Sequence, residues 1–258
     1  MLKLHYAAIQ YSVRVHHVAT EIQERDSHIS YQALAIIAMR AVTIHRAILD
    51  LCIGGWTPVN GILVRTLADL YANTLAIAMK PEDVEFMAFR YLMNFQLGRL
   101  RDTSLLKEIR EQHRAEIDNV IANAPKLDRE RVATFIDSYK PSNYWYQPEY
   151  SSPMDVLNKT EGDMKFMYRV FSGAVHGGTV GLGFLDDAPD DFDVNPRNHP
   201  RRNRLAIAMS SRWLLEISFA RNSSERTGLE EEYQFVLREI FLPLRPMIEA
   251  DQILGHSG

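Results

Sequence analysis

Residues 30–81 read SYQALAIIAMRAVTIHRAILDLCIGGWTPVNGILVRTLADLYANTLAIAMKP, and this stretch decides the fold. It divides at Gly54-Gly55. The first half is apolar around most of its circumference, which marks a central helix rather than a surface one. Ser30 stands where a cap belongs, and the two glycines stand where a helix ends. The second half opens with Thr57 at the cap position and Pro58 at the first helical position, and it stops before Pro81. A joint of two or three residues between long helices forces them to pack antiparallel.

Outward from this pair the pattern stays helical. Tyr6, Ile9, Val13, Val18 and Ile22 recur at helical spacing between Leu4 and Glu24. Pro81 opens a long helical pattern with a break expected at Asp102-Thr103-Ser104. A charge-alternating, solvated helix follows and ends at Pro125. A short amphipathic helix spans residues 129–139. Three prolines and four aromatics make residues 140–153 irregular, and so many aromatics predict a segment packed over something. Helix resumes over residues 161–175. Residues 177–200, rich in Gly, Asp and Pro, form a long loop, and helices return over 200–250. No strand-like alternation or internal repeat interrupts this. The reading is an all-α fold, a single domain over 1–258 built as a bundle of seven to nine helices.

Composition bounds the function. The 258 residues are 46% hydrophobic and 24% charged, with a net charge of −4. That balance gives no general attraction to nucleic acid or to an anionic membrane. The lone cysteine, Cys52, lies in an apolar run and reads as a buried, inert thiol. The opening MLKLHYAAIQYSVRVHH is too polar for a signal-peptide core, and no run of eighteen apolar residues occurs. A cytoplasmic, bacterial-type protein with no membrane contact is expected.

Chemistry concentrates in residues 167–178, MYRVFSGAVHGG. Arg169 and His176 are seven apart, which on a helix places them about 20° short of two full turns and on one face. Ser172 shares that side. A guanidinium matches a phosphodiester's oxygens, and an imidazole transfers protons near neutrality. Together they suit attack of a ribose 2′-hydroxyl on the adjacent phosphate, which needs neither metal nor cofactor. The same residues also fit a solvated arginine and a histidine that caps a helix C-terminus.

Arg65, Asp69 and Asn73 follow at intervals of four inside the otherwise apolar second helix. They read equally as an internal ion pair and as a polar wall facing His176. The acidic loop at 185–193 lacks the glycine and terminal glutamate of a calcium loop, and the basic cluster 197–204 reads either as a contact for phosphates or as an electrostatic balance to that loop. His5, His16, His17 and His45 show no ligand spacing and read as structural or surface residues.

The pattern Arg-x-x-x-(Asp/Glu), then much later Tyr-x-x-x-Ser-x-x-x-His with small residues after it, resembles a widespread bacterial helical family known as a domain of unknown function. Here it is carried by Arg65, Asp69, Tyr168, Ser172 and His176. The resemblance covers about residues 30–185. More distantly, Arg169 and His176 are similar to the Arg-to-His motif of the HEPN superfamily, although Val170 stands where a polar residue is common. That resemblance implies an HEPN-like helical core and homodimers with a composite cleft. It also implies metal-independent cleavage of RNA, as in toxins or antiphage effectors. A non-catalytic interaction module or a small-ligand sensor that binds a nucleotide is the alternative reading.

Overall fold

The computed structural model describes residues 1–23, 28–54, 57–140, 145–159, 168 and 200–247. The expected helix over 161–175 and loop over 177–200, apart from Tyr168 and Pro200, lie outside these residues. The described chain forms α1 (Leu2–Gln23), α2 (Ile29–Gly54), α3 (Thr57–Ala78), a 3₁₀ turn (Pro81–Asp83), α4 (Val84–Arg101), α5 (Lys107–Ala122), α6 (Arg129–Ser138) and α7 (Pro153–Leu157). After Pro200 come α8 (Pro200–Glu225) and α9 (Glu230–Phe235), which runs into a π turn (Val236–Phe241) and a 3₁₀ turn (Leu242–Leu244). Every described element is helical, so the fold is all-α.

α2, α3 and α8 form the centre. Each packs on the other two, α1 covers α8, and α4 crosses α2. The apolar circumference of α2 places Leu34, Ile37, Ala41 and Ile48 in one core with Leu67 and Ile77 of α3 and Trp213 and Leu214 of α8. Pro81 turns the chain so that α4 leaves α3 at 91°. Among the described residues no single helix is long and apolar enough to cross a membrane. α5 packs on α4, buries Ile117, and bridges Lys107 to Glu111 and Arg114 to Asp118 on its wet face.

Three local expectations are corrected. Ser30 does not cap α2 from below, because the helix already begins at Ile29. The carboxylate of Glu85 on α4 takes over, accepting from Ile29 N at 2.9 Å, Ser30 N at 3.4 Å, Ser30 Oγ at 2.5 Å and His28 Nδ1 at 3.0 Å. The break at residues 102–104 is present, but α5 starts only at Lys107. Asp102 Oδ1 accepts from Ser104 N at 3.0 Å, so its side chain closes a turn instead of opening a helix. The last helix is not continuous. It passes through the π turn into a 3₁₀ turn that contains Pro243, whose ring lacks an N–H to extend the ladder.

The aromatic segment behaves as its composition suggests. Trp145, Tyr146 and Tyr150 are all buried, with Trp145 edge-on to Tyr91 at 5.3 Å.

Candidate functional site

α3 positions the three polar residues that the sequence singled out. Spacing of four keeps Arg65, Asp69 and Asn73 along one stripe of the helix. Arg65 and Asp69 form an ion pair, with the guanidinium almost buried and the carboxylate 40% exposed. Tyr168 joins them, although ninety-nine residues separate it from Asp69. Its ring lies under the guanidinium, 3.6 Å from Arg65 Cζ to the ring centroid. Its hydroxyl accepts from Arg65 Nη2 and donates to Asp69 Oδ1 at 3.3 Å. Two hydrogen bonds and one ion pair therefore join guanidinium, phenol and carboxylate in a closed triangle, reinforced by a cation–π contact.

Asn73 turns to a different partner. Its Oδ1 accepts from Trp145 Nε1 at 3.1 Å, so it holds the aromatic segment against α3. Arg169, Ser172 and His176 lie outside the described residues, as does the acidic loop. Of the sequence-level candidates, the structure brings together Arg65, Asp69 and Tyr168, with Asn73 one turn further along.

Other ionisable groups occupy the interior. Cys52 is buried, and burial pushes its thiol up to about 12 despite a hydrogen bond from Asn60 Nδ2 at 3.1 Å. That pKa keeps it protonated and unreactive at neutral pH. His5 and His45 are both buried and stack at 4.2 Å between α1 and α2. The Ser210 hydroxyl already donates to Ile207 O at 3.1 Å, so it accepts from His45 Nδ1 at 2.9 Å. Burial, aided by neighbouring His5, lowers His45 to about 3. His16 accepts from Arg221 Nη1 at 3.1 Å, while His17 is exposed. Among the described residues no cluster of three or more His, Cys, Asp or Glu could hold a metal ion.

Two buried arginines escaped the sequence reading. Arg90 on α4 is 1% exposed and binds Glu149 at 2.5 Å and the carbonyl of Gln147. Arg221 on α8, equally buried, binds Glu225 at 3.0 Å. Burial pushes Glu225 up to about 7, against the pull of Arg221. The signal was available: both arginines interrupt apolar runs, FMAFRYLM and LEISFARN, much as Arg65 does. Glu225 borders a groove of about 940 Å³ walled by Tyr31, Tyr71, Leu75, Met79 and Phe219. That groove lies towards the far end of α3, and Arg65, Asp69 and Tyr168 do not line it.

The all-α architecture agrees with the helical family that the sequence resembles. Residues 31–193 match the family of unknown function DUF5677, and the chain belongs to that family. The matched span runs close to the 30–185 carried by the sequence pattern. No curated protein and no solved structure matches the chain.

Proposed function

We propose that the chain is a metal-independent endoribonuclease of HEPN type, acting as a toxin or antiphage effector. In this reading His176 takes the proton from a ribose 2′-hydroxyl. The alkoxide attacks the adjacent phosphorus, and the 5′-oxygen leaves with a proton returned by an imidazole. Arg169 neutralises the charge that develops on the phosphate oxygens, and Ser172 orients them. Arg65, Asp69 and Tyr168 act as positioning residues. The observation that supports this is the anchoring of Tyr168. The residue immediately before Arg169 is clamped to α3 by two hydrogen bonds and a ring contact. A clamp of that kind fixes the residue from which the motif starts.

The test is expression of the wild type beside His176→Ala and Arg169→Ala, with RNA integrity followed by electrophoresis. Both variants are expected to leave RNA intact while far-UV circular dichroism stays unchanged. RNA that is equally degraded by His176→Ala removes the nuclease.

One observation favours a second reading, a non-catalytic binding module or nucleotide sensor. The Arg65 charge is already matched by Asp69, which is the arrangement of a structural network. Under that reading His176→Ala lowers stability by about 1–3 kcal/mol through an abandoned hydrogen-bond partner. RNA then survives wild type and variant alike.

A further inference from the structure

α1 has two apolar faces. Leu4, Ala8, Tyr11, Val15 and Ala19 are buried against the body of the protein. Leu2, Tyr6 and Val13 fall within about 40° of one another on a different side, at 100° per residue, and all three are exposed, Tyr6 by 57%. Globular surfaces carry scattered apolar residues, but a second stripe on one helix marks a surface made to be covered.

Beside this stripe runs a groove of about 920 Å³ between α1 and the segment from α9 into the π turn. The two walls are antiparallel. Arg14 meets Glu232 at 2.7 Å at one end, and the chain then runs back along α1 so that Ile240 and Lys3 border the other. Phe235, 61% exposed, lies between these ends. The charges are polarised. Lys3 marks one end, Glu231 marks the other, and neither takes part in an ion pair among the described residues.

We propose that a second copy of this chain docks across the groove about a two-fold axis. A two-fold axis lying in the interface and perpendicular to the line joining Lys3 and Glu231, which stand on opposite walls at opposite ends, exchanges these two positions. It sets Lys3 of each copy against Glu231 of the other and brings the Tyr6 and Phe235 surfaces together at the centre. A groove with opposite charges at its ends and apolar side chains between them is complementary to itself, as an isologous contact requires. The surface also lies wholly outside residues 31–193, the part shared with the family. The dimer surface therefore lies apart from that segment, and the dimer stands or falls independently of any nuclease activity.

The experiment is sedimentation velocity on the full chain over about 1–100 µM, the range in which modest interfaces dissociate. The wild type is expected to form a dimer that weakens with added salt. Tyr6→Glu and Phe235→Glu are expected to be monomeric with unchanged circular dichroism and melting temperature, since both side chains already face water. Each ion pair occurs twice in an isologous dimer, so Lys3→Glu or Glu231→Lys should raise Kd about tenfold. The double reversal should restore it to within about threefold. A wild type that stays monomeric at about 100 µM overturns the proposal. So does a dimer indifferent to Tyr6→Glu and Phe235→Glu, or one that the double reversal does not rescue. A monomer whose Tyr6 and Phe235 resist hydroxyl-radical labelling also overturns it, because the groove is then filled by the chain itself.

Discussion

Burying an imidazole and burying a carboxyl have opposite effects on how stability follows pH, and this protein does both. His45 is lowered to about 3, so between about 3 and 6.5 the unfolded chain holds a proton that the folded one lacks. Its contribution to stability is complete above pH 6.5 and is lost as pH falls towards 3. Glu225 is raised to about 7 from 4.5, so between these values the folded chain holds the extra proton. Its contribution is complete below pH 4.5 and is lost as pH rises towards 7. Each effect has a limiting slope of about 1.4 kcal/mol per pH unit, and over pH 4.5–6.5 they oppose each other. His5 and His16, both lowered chiefly by burial, add to the His45 side. The wild-type urea midpoint should fall gently from pH 6.5 to 4.5 and steeply below 4.5. Glu225→Gln should steepen the upper window, and His45→Leu should flatten or invert it. Parallel profiles for all three proteins would refute the opposition. At this scale the sequence showed Arg65, Asp69 and Asn73, because a spacing of four on one apolar helix is visible without coordinates. Arg90 and Arg221 show in it only as interruptions of apolar runs; their contacts with Glu149 and His16 join distant parts of the chain and are not visible without coordinates.

Among the elements, the clearest lesson is the start of α2. A serine in front of an apolar run reads as its own cap, and the local rule is sound for an isolated helix. Here the first turn of α2 abuts the first turn of α4, so a carboxylate from another element reaches the orphan amides first. Glu85 receives two backbone and two side-chain donors, while Ser30 serves as one of those donors. Removing the acceptor strands several groups, whereas removing one donor strands none. Glu85→Ala should therefore lower stability by about 1–2 kcal/mol and Ser30→Ala by less than half as much, as read from urea unfolding. The reverse order would return the cap to Ser30. Helix existence and most boundaries were legible from period, proline and glycine. The cap, the late start of α5 and the π turn were not. Each depends on which neighbour reaches a backbone group, and a one-dimensional pattern carries no such information.

Across the whole molecule, the family segment and the packed core do not coincide. Residues 31–193 include most of α2 and all of α3 to α7 but neither α1 nor α8. Yet α8 is a principal partner of both α2 and α3. Trp213 of α8 is fully buried and lies 5.3 Å from the ring of Tyr71 on α3. Ser210 accepts from His45, and Asn203 Nδ2 donates to Cys52 O at 3.1 Å, so α8 is tied to α2 at two levels. Without α8, the faces of α2 and α3 carrying His45, Cys52 and Tyr71 would meet water. The loss includes satisfied polar groups as well as apolar area, which is why mere collapse cannot replace it. Residues 31–193 expressed alone should keep far-UV helicity but bind a hydrophobic dye, lack near-UV circular dichroism and melt without cooperativity. Adding residues 200–247 in trans should restore part of the near-UV signal, because α8 brings back the larger surface packed on α2 and α3 while α1 is still missing. If residues 31–193 instead melt cooperatively and bind no dye, the family segment is a self-sufficient core, and α8 is an addition to it rather than its centre.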